Sequence, residues 1–128
     1  MANRGKFIVF EGTDGSGKST QMKMAGKFLQ GRGISCILTH EPTDSPFGAL
    51  LRSCLTGRID TDERAIAALF AADRLDHISN RVNGIVKHLE EGATVLCDRF
   101  YLSSFAYNGG FVPLEWVIQL NTPAMQLL

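Results

Sequence analysis

A glycine-rich segment near the amino terminus constrains the fold more than any other feature of this sequence. Residues 12–19 read Gly-Thr-Asp-Gly-Ser-Gly-Lys-Ser, which is the spacing of a phosphate-binding loop, or P-loop. The segment follows the short apolar run 7–10 and precedes residues 19–30, whose apolar positions have helical spacing. A strand, a glycine-rich turn and a helix in this order form the context that the P-loop motif requires.

The chemistry of such a loop comes from its backbone and from two side chains. Glycines allow successive N–H groups to point into one anion-sized hollow, and the helix that follows adds the positive end of its dipole. We expect Lys18 to reach the β- and γ-phosphates of a nucleoside triphosphate and the Ser19 hydroxyl to ligate Mg²⁺. The predicted phosphate-binding residues are Gly12, Thr13, Asp14, Gly15, Ser16, Gly17, Lys18, Ser19 and Thr20.

The remaining pattern predicts one α/β domain over residues 1–128. Apolar, β-branched segments predict parallel strands, of which the first is covered on both faces. The predicted strands are 7–10, 34–39, 94–97 and the less apolar 116–120. The predicted helices are 19–30, 47–55, 63–90 with a break near residues 83–84, one beginning at 103–107, and one beginning at 121–125. This alternation indicates a three-layer parallel sheet of the P-loop NTPase type, flanked by helices.

Charge and cysteine content exclude several classes of protein. Thirteen basic residues balance thirteen acidic ones, so bulk charge favours neither a nucleic-acid nor a membrane partner. The run 7–10 stops at Glu11 and is too short for a signal sequence or a membrane span, so we expect a cytoplasmic protein. Cys36, Cys54 and Cys97 are widely and irregularly spaced, which favours reduced thiols over disulfides or a metal site.

Asp98 directly follows the third predicted strand, where a metal-binding carboxylate would stand beside a P-loop. On the residues alone, an Asp that merely starts a loop is an equally good interpretation. Its neighbour Arg99 carries a planar set of donors that suits a phosphate group.

Further segments carry more specific motifs than the P-loop. Residues 69–77 read Leu-Phe-Ala-Ala-Asp-Arg-Leu-Asp-His, which resembles the LFAADR-x-x-H helix of the thymidylate kinase family. Residues 98–107 begin Asp-Arg-Phe and include Ser103, Ser104, Ala106 and Tyr107, similar to its DRY segment and S-x-x-A-Y continuation. Residues 10–15 are similar to the start of its P-loop, and residues 41–42 to its Glu-Pro loop. The segments follow the family's order and spacing up to about residue 110.

The resemblance implies that ATP phosphorylates dTMP to dTDP in a Mg²⁺-dependent, homodimeric enzyme with strand order 2-3-1-4-5. Lys18, Arg99 and Asp98 would be catalytic, and Ser19 and Asp98 would lie at the metal. The implied dTMP contacts are Asp14 to the 3′-hydroxyl, Phe70 stacked on thymine, Arg74 at the base edge, Ser104 beside it, Arg99 at the monophosphate and Tyr107 where a 2′-hydroxyl would project.

The residues themselves leave other interpretations open. Phe70 and Arg74, four residues apart, share one helix face and can address a single base. Simple core packing also explains Phe70 or Tyr107, and a solvated surface ion pair explains Arg74. We expect His40 and His77 to be structural rather than catalytic. Many members of the family place Arg where His40 stands, and Arg52 is a candidate replacement for its phosphate contact.

The family continues with a lid, a fifth strand and a helix beyond the last residue of this sequence. With Gly15 in the P-loop, the family pattern draws its catalytic arginines from that lid. We therefore expect a truncated chain, with order 2-3-1-4 and no fifth strand, that turns over weakly by itself. The alternatives are a nucleotide-binding fragment without turnover, or a kinase for another deoxynucleoside monophosphate.

Overall fold

The computed structural model describes residues 3–12, 15–100 and 108–128. Within these ranges the chain forms a small parallel sheet with helices packed around it. The strands are β1 (Phe7–Phe10), β2 (Cys36–His40) and β3 (Thr94–Asp98). The helices are α1 (Lys18–Gly31), α2 (Pro46–Leu55), α3 (Glu63–Ser79), α4 (Ile85–Glu90) and α5 (Leu114–Met125).

The sheet has the order β1-β3-β2, and both pairings are parallel. This arrangement confirms the α/β class and the 2-3-1 part of the predicted strand order. In the register, Phe10 and His40 both lie opposite Asp98. The three strands therefore end at the same level, and the residues that follow them emerge side by side at the carboxyl edge, where parallel sheets bind ligands.

The core lies against the central strand. Val95, Leu96 and Cys97 of β3 are at most 1% exposed, because α3 and α4 supply Ile78, Ile85 and Leu89 to the same cluster. The outer strands are less covered: Ile8 of β1 is 42% exposed. The prediction that the strand 7–10 is covered on both faces is therefore wrong.

The predicted strand 116–120 is also wrong, because these residues lie in the helix α5. Its buried side chains are Val117, Asn121 and Ala124, a spacing of four and three residues that belongs to a helix. Val117 packs with Ala67 of α3, so the apolar content that suggested a strand serves a helix–helix contact. Residues 121–125 are the interior and end of this helix, not the start of a new one. The predicted helix at 103–107 lies outside the described residues.

The predicted break in 63–90 is confirmed and begins slightly earlier, at Asn80. The side-chain oxygen of Asn80 accepts the N–H groups of Val82 (2.8 Å) and Asn83 (3.3 Å), and α4 starts two residues later. Along the described ranges, no helix combines the length and hydropathy that a membrane span needs. All three cysteines are free thiols, as expected.

Candidate functional site

The described part of the P-loop has the backbone that its glycines predict. Gly15 and Gly17 have φ angles of 81° and 84°, in the left-handed region that glycine adopts without strain. Gly17 is the N-cap of α1 and has no side chain to cover the first N–H groups of that helix. These groups are suited to an anion. Thr13 and Asp14 lie outside the described residues.

Two P-loop side chains meet the carboxylate at the end of β3. Lys18 Nζ donates to Asp98 Oδ1, and Ser19 Oγ lies 3.5 Å from Asp98 Oδ2. The Lys18 and Asp98 side chains are 9% and 20% exposed. The structure thus brings together three residues that sequence reasoning had assigned to phosphate and metal, with Asp98 facing the P-loop.

Arg99 has an unusual backbone. Its φ is 69°, a region that a long side chain enters only at a cost of about 1–2 kcal/mol. The conformation is held on both sides: Arg99 N–H donates to the Phe10 carbonyl (2.9 Å), and Phe100 N–H donates to Glu11 Oε1 (2.8 Å). Glu11 therefore helps to shape the turn, a role that the sequence did not reveal.

Arg74 lies on α3 and is 1% exposed, so the interpretation as a solvated surface pair is wrong. Its Nε and Nη2 donate to Glu41 Oε1 at 2.8 and 2.5 Å, and its Nη1 donates to Asn121 Oδ1 at 2.8 Å. The guanidinium also lies over the ring of Phe100, 5.0 Å from the centroid. Three separate parts of the chain therefore meet at this side chain: Glu41 after β2, Phe100 after β3 and Asn121 on α5.

His77 completes the surroundings of Glu41. His77 Nδ1 lies 2.8 Å from Glu41 Oε2, and because an ionised carboxylate only accepts hydrogen bonds, Nδ1 carries the proton. His77 Nε2 lies 2.7 Å from Thr39 Oγ1 on β2. This geometry agrees with the expected structural role of His77.

The segment 41–45, named here the Glu-Pro loop, is fastened to α3 at a second point. The buried Asp73 carboxylate accepts Thr43 N–H (2.8 Å), Thr43 Oγ1–H (2.6 Å) and Ser45 Oγ–H (3.3 Å). Arg52 Nη1 donates to the carbonyls of Pro42 (3.2 Å) and Thr43 (2.7 Å). Arg52 thus braces this loop. Asp73 was not singled out from the sequence, although it precedes Arg74 directly on α3.

Phe70 lies one turn before Arg74 on α3 and is partly buried. It packs against the cluster of Leu51, Cys54 and Ile66, so the core-packing interpretation describes at least part of its surroundings. Ser104 and Tyr107 lie outside the described residues.

The thiol nearest to the site is chemically quiet. Burial raises the pKa of Cys97, and the charge of Glu41 raises it further. The Cys97 Sγ–H group points to the Arg99 carbonyl at 3.2 Å. A thiol held in its neutral form is a poor nucleophile, so Cys97 is not suited to nucleophilic chemistry.

A cleft of about 290 Å³ opens beside β2 and is lined by Thr39, His40, Asp44, Asp76 and His77 among others. Several of these polar groups are bonded within the protein: His40 Nδ1 to the Pro42 carbonyl (2.8 Å), and His77 to Thr39. The described ranges contain no group of three or more His, Cys, Asp or Glu residues that could hold a metal ion.

Comparison with known proteins decides the family. The family model for thymidylate kinase matches residues 10–126. The chain belongs to the thymidylate kinase family. Among proteins of this family, the thymidylate kinase of Desulfotalea psychrophila is 42% identical, covering 98% of this chain and 63% of that protein. A probable thymidylate kinase of Pyrococcus horikoshii is 42% identical over 93% of this chain and 60% of that protein.

A solved thymidylate kinase structure has the same fold. The crystal structure of the Ehrlichia chaffeensis protein superposes with a TM-score of 0.81 at 31% identity, and the match covers 94% of this chain and 68% of that one. The chain therefore spans about three fifths of the length of the curated thymidylate kinases that it matches. The site described above lies within the matched region.

Proposed function

We propose that the protein transfers the γ-phosphate of ATP to dTMP, giving dTDP. The observation that carries this proposal is the meeting of Lys18, Ser19 and Asp98 at the carboxyl edge of the sheet, in a chain of the thymidylate kinase family. The transfer needs positioned charge more than a general base, and this cluster supplies it.

On the donor side, the exposed N–H groups at the start of α1 face the triphosphate, and Lys18 exchanges Asp98 for the β- and γ-phosphates. The fit to Mg²⁺ rests on the donor set: the Ser19 hydroxyl and the Asp98 carboxylate are hard oxygen ligands 3.5 Å apart. Mg²⁺ in kinases needs only one or two protein oxygens besides phosphates and water. When bound, the ion would neutralise charge that develops on the phosphates.

On the acceptor side, the proposal assigns the monophosphate of dTMP to Arg99 and the thymine to Phe70 and Arg74. Arg99 follows Asp98 directly, so both phosphate groups can meet at one turn of the chain. Phe70 and Arg74 lie one turn apart on α3, with the Arg74 guanidinium already oriented. Asp14, Ser104 and Tyr107 remain assigned to the 3′-hydroxyl, the base and the sugar by the family pattern alone.

We further propose that the protein is a cytoplasmic homodimer. The helix α2 exposes Phe47, Leu50 and Leu55, each at least 37% accessible, and apolar side chains exposed together on one helix favour association. Sedimentation equilibrium measures the mass directly, and a monomer at micromolar concentration would contradict this assignment.

The activity is tested by incubating the protein with ATP, Mg²⁺ and one monophosphate at a time: dTMP, dUMP, dCMP or dGMP. We expect dTDP to form faster than any other diphosphate. Binding of each nucleotide is measured in parallel by calorimetry, because binding without product separates a nucleotide-binding protein from an enzyme. Equal or faster turnover of another monophosphate would assign a different substrate.

A further inference from the structure

The Arg74 guanidinium is held by Glu41, Asn121 and the ring of Phe100. Glu41 Oε1 accepts hydrogen bonds from Nε and Nη2, and Asn121 Oδ1 accepts one from Nη1. These contacts set the rotation of the guanidinium within its plane. The Phe100 ring limits motion out of that plane. A free arginine side chain loses rotamer entropy when it is ordered, and here that loss precedes any ligand.

Glu41 orients this guanidinium only if its own carboxylate is oriented. One side of it meets Arg74, and the other accepts the His77 Nδ1–H at 2.8 Å. The imidazole is in turn tied to Thr39 through Nε2, at 2.7 Å. The hydrogen bonds therefore run in a line from β2 through His77 and Glu41 to Arg74, and each member except Thr39 is less than 9% exposed.

The line is separate from the P-loop contacts. Its members contact neither Lys18 nor Ser19 through the hydrogen bonds described above, whereas Asp98 contacts both. The backbone N–H of Glu41 does reach the Asp98 carbonyl (3.1 Å), but this contact does not involve the Glu41 carboxylate. Disturbing the carboxylate should therefore affect one ligand and spare the other.

We propose that Glu41 and His77 are positioning residues: through the Glu41 carboxylate they hold Arg74 in the orientation that recognises the nucleoside monophosphate acceptor. The inference rests on the proposed function, because it takes Arg74 as the contact to the base. The side chains of Glu41 and His77 bond to Arg74, Thr39 and each other, so they would act on the acceptor through Arg74. Their loss should weaken binding of dTMP and leave binding of the triphosphate unchanged.

The test compares His77→Leu with His77→Asn in the 128-residue chain. Leu fills a similar volume without a donor, whereas the Asn Nδ2–H group stands close to the place of the imidazole Nδ1–H and restores the bond to Glu41. Calorimetry gives the affinities for dTMP and for a non-hydrolysable ATP analogue. The melting temperature is measured for each variant, and His88→Asn on α4 is the matched control.

We expect His77→Leu to lower the affinity for dTMP about three- to tenfold, the range for one lost hydrogen bond. The affinity for the ATP analogue should stay within twofold of the unaltered protein. His77→Asn should recover most of the dTMP affinity. Equal weakening of both ligands, or unchanged dTMP affinity in folded His77→Leu protein, would overturn the inference. If that variant does not fold, Thr39→Val releases the far side of the imidazole, and unchanged dTMP affinity there has the same meaning.

Arg74→Lys separates this inference from the proposed function. Lysine keeps the charge but loses the planar set of donors, so dTMP should bind at least tenfold more weakly. Unchanged dTMP binding in Arg74→Lys would remove Arg74 from the base site and would defeat the positioning role, while the proposed function would lose only its assignment of Arg74. The proposed function itself fails if the unaltered protein forms no dTDP from dTMP and ATP. If Arg74→Lys weakens dTMP binding but His77→Leu does not, only the positioning role of Glu41 and His77 is defeated.

Discussion

The P-loop and the Glu-Pro loop lie at the same edge of the sheet but keep their polar groups in different states. At the P-loop, Gly15, Ser16 and Gly17 are exposed, and the N–H groups that begin α1 have no side-chain cap. In the Glu-Pro loop, Glu41 and Thr43 are buried, and their side chains bond to α3. The first region leaves the N–H groups at the start of α1 without a side-chain cap, whereas the second has its polar side chains bonded to α3.

This difference predicts whether a substitution lowers stability or ligand affinity. A buried ion pair that loses one member leaves a charge without compensation, which costs stability. A group at an open phosphate site exchanges protein or water contacts for ligand contacts, so its loss costs affinity. The following variants test that division through stability in the Glu-Pro loop and through nucleotide binding at the P-loop.

Glu41→Leu should have the largest effect, because it leaves Arg74 and His77 buried without their shared carboxylate. We expect the free energy of unfolding in urea to fall by about 3–5 kcal/mol. Glu90→Leu, at an exposed position on α4, is the control and should change it by no more than about 0.5 kcal/mol. A loss below 1 kcal/mol in Glu41→Leu would show that the buried network contributes little to the free energy of unfolding. The two loops would then not differ in the way described.

Lys18→Met should produce the reverse pattern. Loss of a charged hydrogen bond to phosphate should weaken binding of the ATP analogue about ten- to hundredfold, measured by calorimetry. The melting temperature should fall less than in Glu41→Leu, because the Asp98 side chain is 20% exposed and keeps Ser19 Oγ at 3.5 Å. Lys23→Met is the control, since Lys23 lies on the same helix and is exposed. Should both lysine variants bind the analogue normally, the P-loop end would not be the triphosphate site.

Ser45→Ala should have the smallest effect and sharpens the account of the Glu-Pro loop. Ser45 accepts Gly48 N–H as the N-cap of α2 and donates to Asp73. Removing such a cap costs about 0.5–2 kcal/mol. Ser53→Ala, in the middle of α2, is the control, because its hydroxyl bonds only within the helix. Equal melting temperatures for the two variants would mean that the loop is held by Asp73–Thr43 and not by Ser45.

The P-loop half of the site could be predicted from the sequence because its parts are local. A strand, two glycines with positive φ and a helix start fall within one short segment, and each has its own signal. The order 2-3-1 came with the family resemblance, since one sequence does not state which strands are neighbours. The sequence also placed Asp98 correctly beside the P-loop, because the family resemblance supplied the neighbours of the strand that it ends.

The other half depends on partners that are distant in the chain. Asp73 meets Thr43 across 30 residues, Glu11 meets Phe100 N–H across 89, and Asn121 meets Arg74 across 47. None of these pairs has a sequence signature. The strand wrongly predicted at 116–120 has the same origin, because the helical spacing of Val117 and Asn121 has meaning only once α3 is beside them.

The left-handed backbone at Arg99 has an evolutionary consequence. Glycine would adopt a φ of 69° freely, so the most stable sequence for this turn has no side chain there. An arginine at this position gives up stability in exchange for a guanidinium next to Asp98. Variants selected only for thermal endurance should therefore drift toward glycine at position 99, whereas selection for the proposed contact of Arg99 to the monophosphate should keep the strained arginine in place.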